Sequence, residues 1–175
     1  DSVNIAYREY TGDTAPRSFR AYDAVGRYEN NTGRNEFGLL KVAADDENLC
    51  FFAEFTNDVN FIGGKPVRLF LNTEGESFAR WSGYDFMVEI TSDGAALYRC
   101  AEDREFSWKK VDCVECLAEK NRLHLSMPRA ALEIPDGGFT LEFKWSDNMQ
   151  ENDVMDFYVN GDAAPRGRLN YVFTL

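Results

Sequence analysis

Hydrophobic and polar residues alternate along much of the chain, and almost no stretch shows the period of a helix. Within residues 122–128, for example, Leu123, Leu125 and Met127 alternate with polar neighbours. Alternation of this kind is typical of a β-strand that buries one face. The predicted strands are 37–44, 48–56, 66–72, 84–91, 95–101, 111–118, 122–128, 139–145 and 169–174.

Turn-forming residues separate several of these strands at hairpin distance. Polar clusters at 45–48, 92–94 and 119–121 join consecutive strands, and short connections of this kind favour antiparallel pairing. A single helical turn is predicted at 128–132, where Pro128 opens it. The pattern predicts an all-β fold: an antiparallel β-sandwich of jelly-roll or immunoglobulin-like type with about ten strands. Since no linker interrupts the pattern, we expect residues 1–175 to form one domain.

One segment near the C-terminus departs from the pattern. Residues 146–168 are rich in Asp, Asn and Gly and form an irregular loop that is unusually long for a compact domain. Long ordered loops often carry function. The alternative is a cap that packs over one end of the sandwich, with Met155, Phe157 and Tyr158 as its anchors.

The charge of the chain excludes two classes of partner. Thirty acidic and nineteen basic residues give a net charge of −11, which repels nucleic-acid phosphates and anionic membrane surfaces. No apolar run reaches the length of about 18 residues that a membrane span needs, so we expect no membrane insertion. Because the chain opens with Asp1 and not with Met, we expect it to be a piece of a longer protein.

The four cysteines favour structural free thiols. Cys50 and Cys100 lie in strand-like apolar runs, where a thiol behaves as a small hydrophobe. Cys113 and Cys116 have C-x-x-C spacing, but residues three apart on a strand point to opposite faces, and no second pair completes a zinc site. A disulfide stays open, because the number of cysteines is even and export would permit one.

Recognisable catalytic residues are scarce. His124 is the single histidine, and the alternation of its strand places it on the outward face. The chain has no G-x-S-x-G, no H-E-x-x-H and no phosphate-binding G-x-x-x-x-G-K-[ST] motif. We therefore predict that the protein is not an enzyme and binds no nucleotide.

Aromatic residues beside polar ones indicate a sugar site more clearly. Trp81 and Tyr84 form one such group, and Trp145, Asp147 and Asn148 form another at a strand end. Sugar rings have apolar C–H faces rimmed by hydroxyls, so a site needs flat aromatic surfaces and hydrogen-bonding partners. The alternative for each tryptophan is ordinary core or edge packing.

Acidic and amide residues in the loops suggest a second type of site. Asn72 and Glu74 follow a predicted strand, and Asp156 and Asp162 lie in the long loop. Hard oxygen ligands in flexible loops suit Ca²⁺, so these four residues are the candidate metal ligands. No EF-hand spacing is present, and solvated loop acids are the alternative.

Several motifs together resemble a known family. They are YENNTGRN at 28–35, KVAAD at 41–45, LNTE at 71–74, WSGYDF at 81–86, MPR at 127–129, FKWSDN at 143–148, DFY at 156–158 and GDAAPRGRLNY at 161–171. In this order they resemble the C-terminal β-sandwich modules of bacterial polysaccharide-associated proteins that are related to family 9 carbohydrate-binding modules and to DOMON-like domains. The resemblance extends over most of the chain.

The resemblance implies a non-catalytic, extracellular or cell-surface accessory module of a larger bacterial protein. It would bind a polysaccharide or oligosaccharide beside the other domains of its parent, with calcium as a candidate structural ion. Family 9 modules hold a terminal sugar between two tryptophans, and the matching positions are Trp81 and Trp145, with Asp147, Asn148 and Arg168 as polar partners. Some DOMON relatives bind haem, but a lone outward His124 predicts none here. The alternatives are a structural or interaction domain without sugar binding and, behind it, a glycoside hydrolase.

Overall fold

The structure, a computed structural model, describes residues 3–14, 16–20, 27–30, 33–75, 80–101 and 105–175. Its strands are β1 (Val3–Arg8), β2 (Arg17–Arg20), β3 (Arg27–Asn30), β4 (Phe37–Ala44), β5 (Asn48–Phe55), β6 (Val67–Asn72), β7 (Phe86–Thr91), β8 (Gly94–Cys100), β9 (Trp108–Glu119), β10 (Arg122–Pro128), β11 (Thr140–Asp147), β12 (Asp162–Ala164) and β13 (Tyr171–Thr174). A 3-10 turn covers Arg129–Leu132, and α1 covers Asp156–Val159. The prediction of an all-β antiparallel, sandwich-like fold is confirmed.

Eleven strands form one antiparallel sheet that curls into a half-barrel. Their order is β1-β4-β5-β10-β9-β8-β7-β6-β11-β12, and β13 also pairs with β11. The long strand β9 links the two halves, because its beginning pairs with β8 and its end pairs with β10. We call β1, β4, β5, β10 and the end of β9 the first half-sheet, and the remaining strands of this sheet the second half-sheet. The strands β2 and β3 form a separate hairpin.

The main core lies between the two half-sheets. It takes alternate side chains from each strand, such as Leu123 and Leu125 from β10 and Phe143 from β11. Burial of one such side chain contributes about 1.5–3 kcal/mol. The alternation read from the sequence therefore corresponds to the inner face of each half-sheet.

A second apolar cluster covers the outer face of the second half-sheet. Its buried members are Phe70, Trp81, Tyr84, Met87, Cys100, Met149, Phe157 and Ala163. The long loop supplies Met149 and Phe157, so it is a packed cap as the alternative expected, but it covers the outer face of the second half-sheet and not one end of the sandwich. Met155, however, is 43% exposed and is not an anchor.

The predicted strands are all present, and β4 and β10 have the predicted bounds. The pattern missed β1, β2, β3 and β12, which are short or strongly polar and therefore give little alternation. It also missed α1, a single turn within the cap. Residues 31 and 32 of the 28–35 motif and the N-terminal Asp1 lie outside the described residues.

Candidate functional site

The two tryptophans of the predicted sugar site lie on opposite faces of the second half-sheet. Trp145 is fully buried in the main core, on the same side of β11 as Phe143. Trp81 is 6% exposed and packs on Phe70 in the second apolar cluster. Side chains at alternate positions of a strand point to opposite faces, and Phe70 points away from the main core. The expectation that Trp81 and Trp145 hold one sugar between them is therefore corrected by the structure.

The other residues predicted for the sugar site have partners within the protein or are exposed. The buried Tyr84 hydroxyl donates to Asn170 Oδ1 over 2.6 Å, and burial raises its pKa. Asn148 is buried, and its side-chain oxygen accepts from Gln150 Nε2 over 3.0 Å. Arg168 is exposed. Tyr84 thus packs with Trp81 in the second apolar cluster, with ring centroids 6.1 Å apart, whereas Asn148 is bonded within the long loop.

Asp147 is fully buried and takes part in a structural ion pair. Its carboxylate accepts two hydrogen bonds of 3.0 Å from the guanidinium of Arg34 and one of 3.1 Å from Asn35 Nδ2. Burial raises the pKa of Asp147 to about 6, although Arg34 opposes this change. Since this carboxylate is enclosed by protein donors, it has no free face for a sugar hydroxyl.

The four candidate calcium ligands each have hydrogen-bonding partners within the protein. Asn72 Oδ1 accepts from Gly75 N, and Glu74 pairs with Arg80 and Arg99. In the long loop, Asp156 accepts a hydrogen bond from Glu151 N, and Asp162 accepts hydrogen bonds from Phe37 N and Ala163 N. Among the described residues, no group of three or more His, Cys, Asp or Glu side chains could hold a metal ion. Calcium binding at these residues stays a prediction.

An open groove lies instead on the outer face of the first half-sheet. It has a volume of about 530 Å³ and crosses β4, β5, β10 and β9. The strand register aligns one outward side chain from each strand in a row: Lys41, Phe52, His124 and Leu117. We call this surface the groove. This row of four side chains combines an aromatic ring, an aliphatic side chain and two groups that can donate hydrogen bonds.

A second row lies beside the first within the groove. It consists of Ala43, Cys50, Ser126 and Glu115, again one residue from each strand. The thiol of Cys50 lies 3.7 Å from Ser126 Oγ, within hydrogen-bonding distance for sulfur. This row adds small apolar side chains, a hydroxyl and a carboxylate to the surface.

The contacts around Phe52 define the geometry of the groove. Lys41 Nζ lies 5.4 Å from the centroid of the Phe52 ring, and the His124 ring meets it edge-on with centroids 4.9 Å apart. Leu117, the last residue of the row, is 58% exposed. On the other side of the row, an ion pair of 3.0 Å between Arg122 and Glu54 bounds the groove. The surface is therefore partly apolar, open to solvent and edged by polar groups.

Sequence reasoning placed His124 outward but did not find the groove. The available signal was the large apolar Phe52 at a position that alternates with the buried Phe51 and Ala53 of β5. Only the register of four strands shows that Phe52 and His124 are neighbours. Cys50, predicted as a buried thiol, is half-buried here, Cys100 is buried, and none of the four cysteines forms a disulfide.

Comparison with known proteins adds no assignment. No protein-family model matches the chain, and no curated protein matches it significantly. Within the described ranges, no helix is long and apolar enough to cross a membrane.

Proposed function

We propose that this protein is a non-catalytic carbohydrate-binding module whose sugar ligand lies in the groove. One observation supports it above all. An open groove of about 530 Å³ combines apolar and polar side chains on the outer face of the first half-sheet, the face turned away from the main core. Small-molecule sites are typically concave and largely apolar, with a few polar groups that fix orientation. A sugar matches this chemistry, because its C–H faces are apolar and its hydroxyls are polar.

The groove offers a partner for each part of a sugar. The ring of Phe52 and the side chain of Leu117 provide apolar surface for C–H faces. Ser126 and His124 provide hydrogen-bonding groups in the same groove. The four strands span three strand spacings, about 14 Å in all, which accommodates a short oligosaccharide lying across them.

The location on paired strands favours a preformed site. The strands β4, β5 and β10 are hydrogen-bonded on both sides in the groove, whereas the groove residues of β9 pair on one side, with β10. Sites on rigid elements hold their geometry better than sites on loops, so binding costs less conformational entropy. This suits a module that recognises a ligand without transforming it.

The wider context of the proposal comes from the family resemblance. We propose an accessory module of a larger bacterial protein, located outside the cell or at its surface and adjacent to other domains of its parent. Calcium as a candidate structural ion belongs to the same resemblance.

A glycan-binding screen with two matched variants tests the proposal. Phe52→Ala removes the aromatic ring of the groove, whereas Phe106→Ala removes a half-buried ring packed against Trp81 on the other half-sheet. Phe52→Ala should lower affinity by about tenfold, equivalent to about 1.4 kcal/mol, and Phe106→Ala should leave it unchanged. Melting temperatures of both variants control for folding.

The opposite pattern, in which only Phe106→Ala weakens binding, would overturn the groove as the site. A folded protein that binds no glycan in the screen would overturn the proposed function.

A structural or interaction domain without sugar binding is the second candidate. The burial of Trp81, Trp145 and Asp147 within the fold favours it, because the residues that resemble a sugar site serve packing and an internal ion pair. The same screen separates the two candidates, since this one predicts a stable fold with no glycan ligand.

A further inference from the structure

We infer that the groove selects an oligosaccharide in which a single carboxylate, that of a uronic acid, lies beside Lys41 among neutral sugar units. The inference rests on the proposed function and adds the substrate class. The inference follows from the positions of the charged side chains in the groove and from which of them form ion pairs within the protein.

Lys41 stands out among the basic residues near the groove. It forms no ion pair with any residue that the structure describes, whereas the neighbouring Arg122 is paired with Glu54. The ammonium group lies over the edge of the apolar surface, 5.4 Å from the Phe52 centroid. A cation held beside an apolar surface and without a protein carboxylate is suited to a ligand carboxylate.

The opposite end of the groove has the opposite charge. Glu115 on β9 lies three strands away from the β4 strand that carries Lys41. A carboxylate on the ligand would be repelled by Glu115, while a sugar hydroxyl would donate a hydrogen bond to it. The ligand is therefore oriented with its acidic unit at β4 and a neutral, hydroxyl-bearing unit at β9.

The charge of the whole chain limits how acidic the ligand can be. A net charge of −11 repels polyanions over a distance of about one Debye length, roughly 8 Å at physiological ionic strength. A ligand with charge on every unit would place carboxylates beside Glu115 as well as Lys41. One acidic unit on a neutral chain satisfies both ends of the groove.

The test compares native and carboxyl-reduced ligands. The probes are xylo-oligosaccharides that carry one glucuronic acid, digalacturonate, and the neutral glycans of the screen above, with each acidic probe also prepared with its carboxylate reduced to an alcohol. We expect the wild-type protein to bind the native form of a singly acidic probe about fivefold more tightly than its reduced form, the effect of about 1 kcal/mol for a solvent-accessible ion pair.

Two variants locate the effect. Lys41→Gln should abolish the preference for the native form, whereas Lys109→Gln, at an exposed lysine of β9 outside the groove, should retain it. Equal affinity for native and reduced probes, or binding of neutral glycans alone, would overturn the inference and leave the proposed function standing. A preference that persists in Lys41→Gln would overturn the role of Lys41. A protein that binds neither acidic nor neutral probes would overturn the proposed function itself.

Discussion

Lys144 of β11 is fully buried beneath the cap, and this burial makes the stability of the protein depend on pH. Its ammonium group donates a hydrogen bond to the carbonyl of Pro165 and lies 5.1 Å from the centroid of the Phe157 ring. Burial lowers the pKa of Lys144 from 10.5 to about 7, although the charge of Glu9 opposes this. Above about pH 7 the folded protein therefore favours the neutral amine.

The size of the effect follows from this pKa change. One pKa unit corresponds to about 1.4 kcal/mol, so protonated Lys144 reduces the free energy of unfolding by up to about 5 kcal/mol. Between pH 7 and 10.5 the unfolded chain binds more protons than the folded one, so stability should rise with pH across this window. Below pH 7 the penalty is complete.

Substitution of Lys144 by Met removes the charge and keeps most of the volume. It also leaves the Pro165 carbonyl without its donor, which costs about 1–3 kcal/mol. Lys144→Met should therefore be more stable than wild type at pH 6, by about 2–4 kcal/mol, and should lose this advantage by pH 10.

Urea unfolding from pH 6 to pH 10 measures the difference between the two proteins, and Lys110→Met, at an exposed lysine, serves as the control. The control should differ from wild type by a constant amount. A difference between wild type and Lys144→Met that does not change with pH would refute the reasoning.

Three further predictions concern buried groups around the cap. Arg34→Met leaves the fully buried Asp147 without its cation. Urea unfolding should show that the free energy of unfolding falls by about 3–5 kcal/mol, whereas Arg122→Met, at an exposed ion pair, should lower it by less than about 1 kcal/mol. Similar losses in the two variants would contradict this prediction. Gly161→Ala would place a Cβ 2.0 Å from the Asp147 carbonyl oxygen, at a residue whose φ is +51°. The melting temperature of this variant should therefore fall well below that of wild type. An unchanged melting temperature would contradict the close packing of Gly161 against Asp147. Burial raises the pKa of Asp162 to about 7, so the folded state binds more protons than the unfolded one between about pH 4 and 7, and stability should fall across that range. Asp162→Asn should flatten this slope in urea titrations, and an unaltered slope would be inconsistent with the assignment.

The strands themselves could be read from the sequence, because alternation is a local property. The residues of β10 alternate strongly, and both β4 and β10 have the bounds that the pattern predicts. The same alternation places Trp145 on the side of β11 that carries Leu141 and Phe143. Its burial in the core was therefore readable from the chain, and the resemblance to a sugar-binding motif led to the wrong placement.

The tertiary structure alone decided which outward side chains of the strands are buried by other segments of the chain. Lys144 alternates with core residues and reads as a solvent-facing lysine, but the cap buries it with Phe157. The partner of Asp147 is Arg34, which is 113 residues away along the chain. No local pattern carries information about such contacts.

The groove also depends on contacts between strands, about which no local pattern carries information. Lys41 and Phe52 come from consecutive strands, whereas His124 comes from β10, which lies far along the chain, and each one alone is an ordinary outward residue. A shift of register by one residue would turn these side chains into the core. The sequence by itself thus determined the strands and their buried faces, whereas strand order and register determined which outward residues meet to form a surface that can bind a ligand.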